Sequence, residues 1–258
     1  MSSRGAVLIP ILLGVVLAGC ARDGPDPGPR DEGILVLAAS DLLHALPAIV
    51  VAYEASTGSP VRTVFGSSGN LTAQIERGAP GDVFLAANSA FVDRLEVGGW
   101  VVGESRTPYA VGRLAVVLAY PGSGDGLASL GRSGIRRVAI ANPEHAPYGA
   151  AAREALLRAH LWETVRPRLV YADNVAQALL LVRTGAVDAA IVAAGLLHAP
   201  PSVEDLLVDA DLQSPLVQVG VVLRESADPV AARRFLEFLG TPAARRILRE
   251  HGFEEVEP

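Results

Sequence analysis

Lysine is missing from this 258-residue chain, and all 22 basic residues are arginine. We read that as the codon bias of a GC-rich genome. Cysteine and methionine occur once each, and aromatic residues make up 5% of the chain. A single thiol excludes an internal disulfide and any thiolate metal site. Basic excess is also lacking: the formal net charge is -6, and removing a leader that contains Arg4 makes it -7. That balance excludes the electrostatic footprint of a nucleic-acid binder. No Gly-x-Ser-x-Gly elbow, no plausible His–carboxylate–nucleophile set and no metal quartet is present, so nothing points to an enzyme.

What is present is aliphatic. Half the residues are apolar and only 19% are charged, which excludes general disorder and suits alternating strands and helices. The length favours two lobes of roughly 100 residues each.

The first segment reads as an address. Arg4 precedes an apolar run from Ala6 to Ala18, of signal-peptide length and short of the ~20 residues that span a bilayer. The run ends Leu17-Ala18-Gly19-Cys20, which resembles the lipobox of bacterial lipoproteins. The resemblance implies a signal peptide over 1–19, cleavage before Cys20, and lipidation of Cys20 as a membrane anchor. Two or more acyl chains give stable anchoring. Residues 20–32, rich in Asp, Gly, Pro and Arg, cannot bury a core and read as a flexible tether.

From Gly33 onward short aliphatic strands alternate with helical stretches. Strands are expected at 34–39, 61–65 and 83–87, with helices over 42–55, 70–77 and 89–97, a βαβαβ unit with a mainly parallel sheet. Leu42, Leu46, Ile49 and Tyr53 share one face of the first helix. A second unit has strands at 114–119, 137–141, 168–171 and 189–193 and helices at 150–160 and 175–184. An apolar strand over 218–223 and two C-terminal helices, split around Gly240-Thr241-Pro242, complete the chain. The expected partition is 33–113 with 222–258 in one lobe and 114–221 in the other. The chain would cross near Gly112 to Val117 and again near Val217 to Val222.

Open parallel sheets bind ligands beyond the C-terminal ends of their strands. The residues there are Ala39-Ser40-Asp41, Gly66-Ser67-Ser68-Gly69-Asn70, Pro147-Tyr148-Gly149 and Asp173-Asn174-Val175. They supply hydroxyls and helix-terminal N–H groups, with no Arg among them. A helix N-terminus leaves N–H donors unpaired and carries partial positive charge, so it favours an anion. Each junction alone reads as ordinary capping, with Ser40 a natural N-cap. Convergence of several would hold a desolvated dianion by complete hydrogen bonding.

Taken in order, five segments resemble the periplasmic molybdate-binding proteins, the soluble partners of molybdate ABC importers. They are Ala38-Ala39-Ser40-Asp41-Leu42; FGSSGNL-x2-QIE-x-GAP-x-D over 65–82; NPEHAPYG over 142–149; DNVAQAL-x2-V with GAVDAAIV up to Val192; and Thr241-Pro242-x-Ala244 with Gly252-Phe253. The resemblance covers nearly all of Ile34 to Phe253. It implies an α/β type II periplasmic binding protein, two lobes joined by a two-strand hinge that close on the ligand. It places binding hydroxyls at Ser40 and Ser68, the latter beside the near-equivalent Ser67, and backbone N–H donors at Tyr148 and Val175. It implies no cofactor, a molybdate or tungstate ligand, ABC permease and ATPase subunits as partners, and a monomer in the periplasm or on the outer cell surface.

One departure stands out. Many members of that family carry a Tyr hydroxyl donor where this chain has Ala193, and Gly195, Leu196 and Leu197 replace the residues beyond. The hydroxyl of Tyr148 is then the expected substitute. Sulfate, thiosulfate or a lipoprotein sensor on the same fold are the competing readings. His145 beside Glu144 suggests no metal pair, because adjacent loop residues point apart, and His44, His160, His198 and His251 have no ligand spacing. Asp82 reads as a turn residue, Glu154 and Arg158 as a solvated helix pair, and Trp100 and Trp162 as core anchors.

Overall fold

Alternation of apolar runs builds two sheets. In the computed structural model, which describes residues 33–120, 126–197 and 207–256, the first sheet begins with β1 (Ile34–Ala39), β2 (Val61–Gly66) and β3 (Val83–Ala86), mutually parallel about β1. They are joined by α1 (Ala45–Thr57) and α2 (Ser68–Ile75), and α3 (Ser89–Val97) follows. β4 (Thr107–Gly112) closes this part of the chain. The second sheet holds β5 (Leu114–Leu118), β6 (Val138–Ala141), β7 (Leu169–Ala172) and β8 (Ala189–Ala193), with α4 (Pro147–Arg158), α5 (Trp162–Val165) and α6 (Val175–Arg183) between them. β9 (Leu216–Val222), α7 (Pro229–Leu239) and α8 (Pro242–Glu250) end the fold. The strand orders are β2-β1-β3-β9-β4 and β5-β8-β6-β7. Residues 1–32, including Cys20, and His198 lie outside the described residues.

The cores follow from strand alternation, which sends successive side chains to opposite faces. Ile34, Val36 and Ala38 of β1 pack with α1, α7 and α8 residues, and Leu37 packs on the other face with Leu71 and Ile75 of α2. The predicted face of the first helix is fully buried at Leu46, Ile49 and Tyr53, and Tyr53 meets Phe235 edge-on at 5.1 Å between centroids. The helix itself starts later than expected, because a 3-10 turn over Ser40–Leu42 precedes it. A single continuous core fills the second lobe. Both lobes belong to one compact unit.

Two expectations need correction. β4 was not anticipated, because Pro108 breaks its pattern; it forms an edge strand with a bulge between Pro108 and Ala110, where a missing N–H is tolerated. The return crossing does not fall within 217–222. β9 pairs along its whole length with β4 and β3 in the first sheet, so the chain joins that sheet at Leu216, whose side chain still packs in the second core. The boundary at Val222 therefore divides a strand that is intact. Its apolar run reflects a central position buried on both faces, with Val222 in one core and Val219 and Val221 in the other.

Candidate functional site

Four strand-to-helix junctions, two from each lobe, converge on one cavity. Ser40, Ser68, Tyr148 and Val175 line it together with Ser67 and a wall of Ala39, Gly66, Ala87, Ala146 and Pro147. Its free space is about 180 Å³, part of it open to solvent. No charged side chain lines it.

At α2 the Ser67 hydroxyl accepts the N–H of Asn70 (3.3 Å) and lies 3.0 Å from Nδ1 of His145. Gly69 N–H donates across the cleft to the His145 carbonyl at 2.8 Å. Ser67 is thus the N-cap, fully engaged. Ser68, completely buried, accepts the Ala87 N–H on its hydroxyl at 3.0 Å, which leaves its own proton to donate.

Helix α4 starts with Pro147, which has no N–H, while Gly149 and Ala150 donate to the Ala146 carbonyl. The Tyr148 N–H is the donor of that first turn without an internal partner. At α6, Asn174 caps Gln177 N–H at 3.0 Å, and the Gln177 side chain reaches back to Asp173 N–H, a reciprocal cap of the box type. Val175 N–H is left over. The Ser40 side chain makes no capping bond in its 3-10 turn, contrary to its expected N-cap role; Ala39 holds that position.

On the hinge side lies a buried polar group that sequence reasoning passed over. Asp41 is fully buried and neither carboxylate oxygen completes a hydrogen bond. Burial pushes its pKa from 3.8 up to about 6, while the nearby Tyr148 hydroxyl and Gln218 amide act in the opposite direction. Gln218 donates to the Tyr148 hydroxyl at 3.4 Å and accepts from Tyr109 at 3.3 Å. Burial and the Asp41 charge hold the Tyr148 phenol well above its ordinary range.

The Tyr148 hydroxyl therefore packs at the crossing between lobes: a Cβ on Gly112 would lie 2.0 Å from it. With Gln218 and Asp41 as its neighbours, it is not the substitute donor expected for Ala193. Ala193 is instead part of a small-residue stretch against the 40–42 turn. A Cβ on Gly195 would lie 2.6 Å from the Phe253 ring and 3.3 Å from the Asp41 carbonyl, so small size there permits close approach.

The remaining candidates resolve simply. Among the described residues no cluster could hold a metal ion. Asp82 does more than shape a turn: its carboxylate accepts from Leu35 N–H, the Ser226 hydroxyl and Ala227 N–H. Glu154 pairs with Arg158 at 2.6 Å and also with Ser214. Trp100 and Trp162 sit at the margins of the cores, partly buried, and Arg153 stacks over Trp162 at 5.5 Å.

Residues 34–254 match the family described as bacterial extracellular solute-binding protein. The molybdate-binding protein ModA of Rhodobacter capsulatus is 31% identical over 96% of this chain and 95% of its own. ModA of Azotobacter vinelandii is 33% identical over 94% and 95%. The solved periplasmic molybdate-binding protein of Azotobacter vinelandii superposes with a TM-score of 0.79 at 31% identity, covering 87% of this chain and 99% of that one. The chain belongs to the bacterial extracellular solute-binding proteins, with the α/β type II periplasmic binding protein fold, and is a binding protein rather than an enzyme.

Proposed function

We propose that this chain is the molybdate-binding lipoprotein of an ABC importer, taking tungstate by the same geometry. The observation that carries the reading is the convergence of Ser40, Ser68, Tyr148 and Val175 on one uncharged cavity. Hydroxyl protons of Ser40 and Ser68 and the N–H groups of Tyr148 and Val175 would meet the oxygens of a tetrahedral dianion. The starts of α2, α4 and α6 add partial positive charge. Such donors suit an ion that accepts without donating. An organic cation has no matching groups here, because no carboxylate lines the cavity.

The likeness to ModA proteins over nearly the full chain supports molybdate over sulfate or thiosulfate. The permease and ATPase of the importer are the inferred partners, and the protein acts as a monomer. Cys20, directly after Leu17-Ala18-Gly19, carries the lipid that ties it to the membrane. Intact mass of membrane-extracted protein is expected to show an N-terminal, diacylated Cys20; an unmodified mature chain in the soluble fraction would refute the anchor.

A thermal-shift and titration panel in phosphate-free buffer tests the ligand. Molybdate and tungstate are expected to raise the melting temperature most, because binding to the folded form alone adds about 2.7 kcal/mol at 100 times Kd. A larger shift with sulfate, or none with any oxyanion, would overturn the assignment.

A further inference from the structure

The loop before α4 reaches across the cleft at one place that oxyanion binding does not itself require. Gly69 N–H donates to the His145 carbonyl at 2.8 Å, and Nδ1 of His145 lies 3.0 Å from the Ser67 hydroxyl. Ser67 also accepts from Asn70 N–H, and its hydroxyl, with one proton and a second lone pair, pairs with the ring nitrogen in either tautomer of His145. The His145 backbone is fixed from behind: His145 and Ala146 N–H both donate to the Asn142 carbonyl, and Asn142 N–H donates to Ala172 at the end of β7. Fit is close enough to demand glycine. A Cβ on Gly69 would lie 2.5 Å from the His145 carbonyl oxygen and 2.8 Å from its Cα.

We propose that His145 is a positioning residue that fastens the second lobe to the start of α2 once the anion is inside, and so sets its rate of release. The inference rests on the oxyanion-binding reading above and adds the residue that holds the closed form. Two bonds side by side, one main-chain and one through the ring, join the lobes next to the cavity wall at Ala146 and Ser67. The clasp forms only after the lobes meet. It therefore acts on dissociation and leaves the encounter rate alone.

Gly69 lies in the first turn of α2 without a left-handed φ, so Gly69→Ala fits the open form and favours the helix. The variant is expected to keep or raise the ligand-free melting temperature while molybdate dissociates at least 100-fold faster by stopped flow. Solution scattering should show it more open than wild type at saturating ligand. His145→Ala, which keeps the carbonyl, is expected to raise koff about tenfold at unchanged kon, and His145→Asn, which restores an acceptor, to recover most of it. Wild-type protein that binds while both Gly69→Ala and His145→Ala release at the wild-type rate would overturn the clasp alone. Wild-type protein that binds no oxyanion would overturn the binding reading and the clasp with it.

Discussion

Replacing Ser40 by alanine is expected to weaken oxyanion binding by roughly 10- to 100-fold and leave the ligand-free melting temperature where it was. The affinity term follows from losing one hydrogen bond to a charged, buried partner, worth about 1.5–3 kcal/mol. The stability term follows from the hydroxyl having no capping role in its turn. Ser68→Ala should behave differently. It loses a donor to the anion in the same way, but it also removes the acceptor of the Ala87 N–H. Ala87 is itself buried, and a buried donor left unpaired costs about 1–3 kcal/mol. For a domain of this size that lowers the melting temperature by several degrees. Titration calorimetry and thermal unfolding on the two variants separate the roles. Equal loss of stability in both, or affinity unaffected in both, would contradict the donor assignment.

Asp41 makes the second large prediction, in the dependence of stability on pH. Its carboxyl binds a proton more tightly in the folded protein, at about 6, than the ordinary value of 3.8. Below about pH 4 both states are protonated and burial is unpenalised. As pH rises from about 4 to about 6 the unfolded chain ionises first, so the folded form loses stability, by about 3 kcal/mol in all. Above that range the loss is constant. Asp41→Asn removes the ionisable group and keeps the shape, so it is expected to stabilise the protein by up to about 3 kcal/mol at pH 8 and by nothing near pH 4. Denaturant unfolding at the two pH values checks this. Destabilisation of the variant at pH 8 would mean that the carboxylate is paired rather than stranded.

Much of this molecule was legible in the residues. The first helix face, the strand at Ala189–Ala193 and the four junctions follow from local patterning, because each is specified by periodicity or by turn chemistry within a few residues. The resemblance placed the binding hydroxyl at Ser68, but local patterning alone does not distinguish it from Ser67. Both are hydroxyls at one helix start, and their partners are distant in the chain: Ala87 N–H, 19 residues away, for Ser68 and the His145 ring, 78 residues away, for Ser67. β4 was hidden by Pro108, since edge position is a tertiary property. Asp41 was overlooked because an acid after Ser40 reads as a capping neighbour; the groups that surround its carboxyl, Tyr148 and Gln218, are distant in the chain. His145 was weighed only as a metal ligand. The available signal was Gly69, a glycine inside a helix start with no turn to explain it.

The central claim is that neutral donors from both lobes, with no formal positive charge, hold a tetrahedral dianion. A crystal structure grown with tungstate, located by its anomalous scattering, tests it most directly. The account predicts the ion in the cavity walled by Ala39, Ala87 and Ala146, its oxygens within 3 Å or so of the Ser40 and Ser68 hydroxyls and the Tyr148 and Val175 nitrogens. An ion held by an arginine side chain, or Ser40 and Ser68 turned away from it, would contradict the account.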